Sequence, residues 1–150
     1  MANLYIMSGL PGSGKSTYAL ELSNGKGIIL STDNIRETLT GSATNLSKDK
    51  DVWRVVYDTL DNRLEDYDYI VDATNLSNKR RRTYLRYKNK FDKIILVYMD
   101  VPISIAKERN AHRDRVVPNK VIDCMQKIKL DSKKDITNLG FDDIIIVRGE

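Results

Sequence analysis

Gly9-Leu10-Pro11-Gly12-Ser13-Gly14-Lys15-Ser16 fills every fixed position of the phosphate-binding loop pattern: a glycine, four residues, then Gly-Lys-Ser. Glycine leaves no Cβ between backbone and ligand, so N–H groups of Gly12, Ser13 and Gly14 can converge on nucleotide phosphate oxygens. Lys15 supplies a mobile cation for the β and γ phosphates, Ser16 a hard hydroxyl oxygen for Mg²⁺, and Thr17 comes next in the chain. Leu4-Tyr5-Ile6-Met7 reads as a strand ahead of the loop, and Tyr18-Ala19-Leu20-Glu21-Leu22 as a helix behind it. Strand, loop, helix is the order the motif requires. The stretch therefore predicts a site for ATP or another NTP with Mg²⁺.

Four further apolar runs, at residues 28–30, 69–71, 94–99 and 144–147, alternate with helical patterns. Near-continuous Ile, Val and Leu suits strands covered on both faces. The alternation predicts an α/β P-loop NTPase kinase fold, a five-stranded parallel sheet with helices on both faces. Ligands of such sheets bind beyond the carboxyl ends of the strands, so the residues just past each run are the functional candidates. After the second run comes Ser31-Thr32-Asp33-Asn34-Ile35-Arg36, where Asp33 reads either as a helix N-cap or as a functional carboxylate. The third ends in Asp72-Ala73-Thr74-Asn75, and Asp72 holds the position of a Walker-B carboxylate, with Asp100 after the fourth run as its competitor. Arg109 and Arg113 are four apart, so a shared helix face able to aim two guanidinium groups at one target is expected.

The 150 residues predict one domain over 1–150, and 41% hydrophobic with 31% charged residues is ordinary for a soluble globular chain. No apolar run reaches membrane-spanning length, and no signal-peptide pattern opens the chain. Cys124, the only cysteine, can form no internal disulfide. A reducing, cytoplasmic setting without membrane contact is the expectation. The net charge of +4 favours a polyanionic partner. His112, the only histidine, excludes a histidine metal cluster and is expected to be exposed.

Residues 51–66 carry Val52, Val55, Val56, Leu60 and Leu64 at helical spacing, which predicts an amphipathic packing helix. Trp53 and Tyr57 flank its apolar face as packing aromatics, with base stacking as the alternative. Lys79-Arg80-Arg81-Arg82 reads as a solvated helix face, with a nucleic-acid patch as the alternative. Cys124 reads as a packing residue of a helix carrying Val121, Ile122, Met125 and Ile128.

Together, the segments at 9–17, 31–36, 72–75 and 108–113 (Glu-Arg-Asn-Ala-His-Arg), with Gly140-Phe141 before the last run, resemble the kinase domain of polynucleotide 5′-hydroxyl kinases of bacteriophage and bacterial end-healing type. The resemblance implies transfer of the γ-phosphoryl group of an NTP to the 5′-OH of DNA or RNA. It implies Asp33 as general base, Arg36 as a grip on the acceptor, Lys15 as a catalytic phosphate ligand, and Ser16 with Asp72 at Mg²⁺. Arg109 and Arg113 match lid arginines over the nucleotide phosphates, Arg115 falls where the lid spacing departs from the bacterial type, and Asn75 matches a family position without a role that chemistry supplies. Relatives commonly carry end-healing modules on the same chain, so a stand-alone kinase with a separate phosphatase or ligase partner is implied here. Two other classes share the donor motif: a kinase of a small alcohol, sugar or nucleotide, and a nucleotide-dependent binding module or switch. The number of chains in the assembly is left open.

Overall fold

The computed structural model describes residues 2–149. Five strands, β1 (Leu4–Ser8), β2 (Ile28–Ser31), β3 (Tyr69–Asp72), β4 (Ile94–Asp100) and β5 (Asp143–Arg148), form one parallel sheet in the order β2-β3-β1-β4-β5. Six α-helices accompany them: α1 (Lys15–Ser23), α2 (Thr32–Thr40), α3 (Asp49–Asp61), α4 (Asn78–Thr83), α5 (Ile103–Ala111) and α6 (Asn119–Lys133). The expected sheet is present, with the strand before the phosphate loop at its centre.

Register shows how the apolar runs become a two-sided core. Leu4 of β1 lies beside Tyr69 of β3 and Ile94 of β4, and the period of two then sorts the side chains by face. Leu4, Ile6, Tyr69, Val71, Ile94, Leu96 and Tyr98 face one way, against Val56 and Leu60 of α3 and against Tyr84 and Tyr87. Met7, Ile70, Ile95, Val97 and Met99 face the other way, beneath Ala19 of α1. Each fully buried Leu, Ile or Val contributes about 1.5–3 kcal/mol. A third cluster, Leu10, Leu76, Ala106 and Ile122, joins the phosphate loop to α5 and α6 at the carboxyl end of the sheet.

Several expectations from helical spacing are corrected. Helix α3 begins two residues earlier than expected and ends at Asp61, so Leu64 lies outside it and is 59% exposed. Val55 is also exposed, and Val52, Val56 and Leu60, four apart, make the buried stripe. Cys124 is exposed, because α6 turns Ile122, Lys129 and Ser132 inward. His112 is exposed, as expected.

The basic run is not a uniformly solvated face. Arg82 is exposed, but Arg81 is fully buried beneath the segment after β3. Its Nε donates to the Asn75 carbonyl (2.9 Å), Nη1 to Asn78 Oδ1 (2.9 Å) and Ser132 Oγ (3.0 Å), and Nη2 to Ser8 Oγ (2.8 Å). Burial pushes its pKa down to about 10, offset by the nearby Tyr98, so it stays cationic at neutral pH. Asn75 is the other tie. At φ +42° it turns the chain sharply, its amide donates to the Met7 carbonyl (2.7 Å), and its Oδ1 accepts from the Tyr84 hydroxyl (2.8 Å). Gly9 N–H bonds the Thr74 carbonyl at 2.9 Å, completing a strap between the end of β1 and the β3–α4 segment. Asn75 therefore ties the end of β1 to the segment after β3, beneath the phosphate loop.

Arg81→Met keeps the apolar stem and removes four hydrogen bonds from this strap. It is expected to cost about 3 kcal/mol, from lost charged hydrogen bonds inside a buried network. A denaturant midpoint within error of the parent protein would contradict that role.

Candidate active site

The phosphate loop closes on α5. Gly12 sits at φ +81° and Gly14 at φ +90°, and a Cβ on Gly12 would lie 2.2 Å from the Ala106 carbonyl oxygen, so only glycine fits there. Among the described residues Ser13 Oγ is buried without a hydrogen-bond partner, a polar atom that a bound phosphate can satisfy. Lys15, the first residue of α1, is buried. Desolvation lowers its pKa, offset by the carboxylates of Asp72 and Asp33 and reinforced by the Arg113 cation. Ser16 Oγ donates to Asp72 Oδ2 at 2.6 Å. These two hard oxygens, brought to one point by α1 and β3, fit a Mg²⁺ shell completed by water and phosphate. Asp100 ends β4 on the other side of β1, with Arg148 Nε at 4.0 Å from its carboxylate.

The N-cap of α2 is Ser31, whose hydroxyl accepts from Asn34 N–H at 3.2 Å, and not Asp33. Asp33 is thereby left to face the cleft. Its Oδ1 accepts from Arg36 Nη1 at 2.9 Å, and its Oδ2 lies 3.8 Å from Arg113 Nη2 and 4.0 Å from Arg115 Nη1. Arg36 is buried and committed inward. Its Nε and Nη2 donate to Asp49 at 2.8 and 3.1 Å, and its Nη1 also reaches the Ala43 carbonyl at 3.2 Å. In this structure Arg36 orients Asp33 and clamps α2 to α3. Arg115 donates to Asn34 Oδ1 (2.9 Å) and Glu37 (2.7 Å), latching the α5–α6 connection onto α2.

The two lid candidates do not share a helix face, because α5 ends at Ala111 with His112 at its C-cap. Arg113 belongs to the connection and lines a cleft of about 510 Å³ together with Lys15, Asp33 and Asp72. Arg109 lines a second depression of about 360 Å³, with Ser13, Gly14, Thr17, Tyr18 and Val147, on the other flank of the phosphate loop. Its Nη1 is 3.6 Å from where a Gly14 Cβ would stand. The loop thus separates two basins, each lined by one of the two lid candidates.

Reasoning from sequence missed Asp49, the carboxylate that fixes Arg36, and the buried role of Arg81. Neither has a local signal, since their partners lie 13 and up to 73 residues away. The outer cleft wall of Trp53, Arg80, Val121, Met125 and Ile128 was also missed as a unit. Its members were visible separately: Trp53 beside one apolar stripe, Arg80 in the basic run, and Val121, Met125 and Ile128 on a later helix.

Fold and site define an α/β P-loop domain of kinase-like architecture. The chain belongs to the family described as AAA domain, which matches residues 4–128. L-seryl-tRNA(Sec) kinase of Methanococcus maripaludis is 32% identical over 129 residues, 79% of this chain and 49% of that protein. The chain thus spans about half the length of that relative. A chain of the Pnkp1/Rnl/Hen1 RNA repair complex superposes with a TM-score of 0.75 at 20% identity, covering 90% of this chain and 46% of that one. Shikimate kinase from Acinetobacter baumannii in complex with shikimate superposes with a TM-score of 0.64 at 20% identity, covering 99% and 84%. At such identities the two structures speak for the fold. Among the described residues no helix is long and apolar enough to cross a membrane.

Proposed function

We propose that the protein is a Mg²⁺-dependent phosphotransferase that moves the γ-phosphoryl group of ATP or another NTP to the 5′-hydroxyl of DNA or RNA. The observation that carries this reading is the pair of basins around the phosphate loop. The flank with Thr17, Tyr18 and Arg109 suits the donor nucleoside, and the flank with Asp33 suits the hydroxyl. Lys15, which the loop holds at the boundary, neutralises the transferring phosphate. Asp33 accepts the proton of the attacking alcohol as its oxygen bonds to the γ-phosphorus, and the bond to the β–γ bridging oxygen breaks to release the nucleoside diphosphate. Arg36 keeps Asp33 aimed, Arg113 faces the transferring group, and Arg109 holds the donor side. Ser16 and Asp72 would hold Mg²⁺, which would supply charge neutralisation of the nucleotide phosphates.

A nucleic-acid acceptor is supported by the cleft's electrostatics. Five cationic side chains, Lys15, Arg36, Arg80, Arg113 and Arg115, line it against three carboxylates. Such a surplus favours a phosphate-rich chain over a neutral polyol. The relative named L-seryl-tRNA(Sec) kinase favours a second reading, in which the same base serves a hydroxyl carried by an aminoacylated tRNA.

Incubation with γ-labelled ATP and Mg²⁺, offering 5′-OH DNA and RNA oligonucleotides, seryl-tRNA and shikimate in parallel, decides among them. Label at oligonucleotide 5′ ends is the expected result. Label confined to seryl-tRNA transfers the assignment to the second reading, label only on shikimate assigns a small-alcohol kinase, and ATP hydrolysis with no labelled acceptor leaves a nucleotide switch.

A further inference from the structure

Trp53 of α3 and Arg80 of α4 form a stacked pair in the wall of the Asp33 cleft. The Arg80 guanidinium carbon lies 3.7 Å from the centroid of the Trp53 ring, and its Nη1 donates to the Tyr57 hydroxyl at 2.8 Å. Tyr57 in turn stacks beside Trp53 at 5.9 Å and shares a hydrogen bond with Thr83 at 2.9 Å. The result is a guanidinium whose plane is fixed by an aromatic face and by a hydrogen bond. A long cationic side chain is otherwise free to wander, so this fixation removes entropy before any ligand arrives.

Both Trp53 and Arg80 line the cleft that holds Asp33, and both are only half-buried. The same cleft is lined by Val121, Met125 and Ile128 of α6, and Val121 and Ile128 are 41% and 46% exposed. Solvent-facing Val and Ile in the same cleft as a flat cation are ill suited to a small polyol. They fit a flat, partly apolar group attached to a phosphate chain.

We propose that Arg80, held against Trp53, is the stacking platform for the terminal nucleobase of the acceptor strand, in the cleft that the apolar residues of α6 also line. This rests on the polynucleotide reading given above and adds a base-binding seat to it. A guanidinium plane accepts any base by stacking and attracts the adjoining phosphate, so the platform is tolerant of sequence.

The test compares two 5′-OH oligonucleotides that differ only in the terminal nucleotide, one with its base and one abasic. With the unaltered protein, KM for the abasic strand is expected to rise on the order of ten-fold while kcat holds. Arg80→Leu is expected to raise KM for the intact strand similarly and, through lost attraction for the adjoining phosphate alone, to raise it by a much smaller factor for the abasic one, and Arg80→Lys, which keeps charge but loses the plane, is expected to restore little of the difference between the two strands. Trp53 is the only tryptophan, so its fluorescence reads the seat directly in the unaltered protein, with a change expected on adding the intact strand and not the abasic one. Equal KM for the two strands, or full rescue by Arg80→Lys, overturns the platform and leaves the kinase reading standing. No phosphorylation of either strand overturns both.

Discussion

Asp33→Asn is expected to lower kcat for phosphoryl transfer by about 10² to 10⁴, the range typical of removing a positioned general base. The substitution is nearly isosteric, and an amide oxygen can still accept the 2.9 Å hydrogen bond from Arg36 Nη1, so α2 and the cleft wall should persist. What disappears is the capacity to take a proton from the incoming alcohol. Nucleotide affinity should hold or improve, because a carboxylate facing the phosphate site is removed. Asp33 also supports the charge on Lys15, so the variant should release its lysine proton more readily on the alkaline side. Single-turnover transfer alongside calorimetric nucleotide binding separates these effects. A kcat within a few-fold of the parent, at unchanged nucleotide affinity, would remove Asp33 from the chemistry and return it to a structural partner of Arg36.

The donor half of this site was legible because its signal is local. Every atom of the phosphate cradle comes from residues 9–17, and each glycine answers a backbone demand that sequence can express, as Gly12 does against the Ala106 carbonyl. The sheet was legible for a related reason: strands covered on both faces leave near-continuous apolar runs, and all five were placed from them. Asp72 was legible as a strand-end carboxylate and the family resemblance preferred it to Asp100; the structure sets Asp72 2.6 Å from Ser16 Oγ and puts β3 and β4 on opposite sides of β1.

Where sequence reasoning failed, it extended local periodicity past a helix end or across a long-range contact. Arg109 and Arg113 keep helical spacing in sequence, yet the helix between them stops at Ala111 and the two guanidiniums serve different basins. The resemblance made Arg36 a grip on the acceptor, with no inward partner named for it. Its burial and its bidentate bond to Asp49 arise only when α3 packs on α2. Arg81 looked like one of four exposed cations, and nothing within the run distinguishes it from Arg82. Ser8, Asn75 and Ser132 select it, and they are assembled by the sheet.

The separation of the two arginines gives a sharper prediction than a shared lid face would. Arg113 stands where its field disfavours the charge on Lys15, so two cations face one space, an arrangement suited to a polyanion arriving between them. It is held near that space by the connection that Arg115 latches to Asn34 and Glu37, and its present neighbour is the Asp33 carboxylate at 3.8 Å. Exchange of that carboxylate for a phosphoryl oxygen would also free Asp33 to receive the hydroxyl. Arg113→Ala is therefore expected to reduce kcat by about 10³ to 10⁵, the range measured for arginines that stabilise phosphoryl-transfer transition states. Arg113→Lys should recover only part of this, since an ammonium cannot bridge two oxygens in a plane. Arg109→Ala provides the contrast: from its basin beside Gly14 and Thr17 it should raise the nucleotide KM with a much smaller effect on kcat. If both variants instead lose kcat equally and spare KM, the arginines converge on one group during turnover, and the two-basin division of labour is wrong.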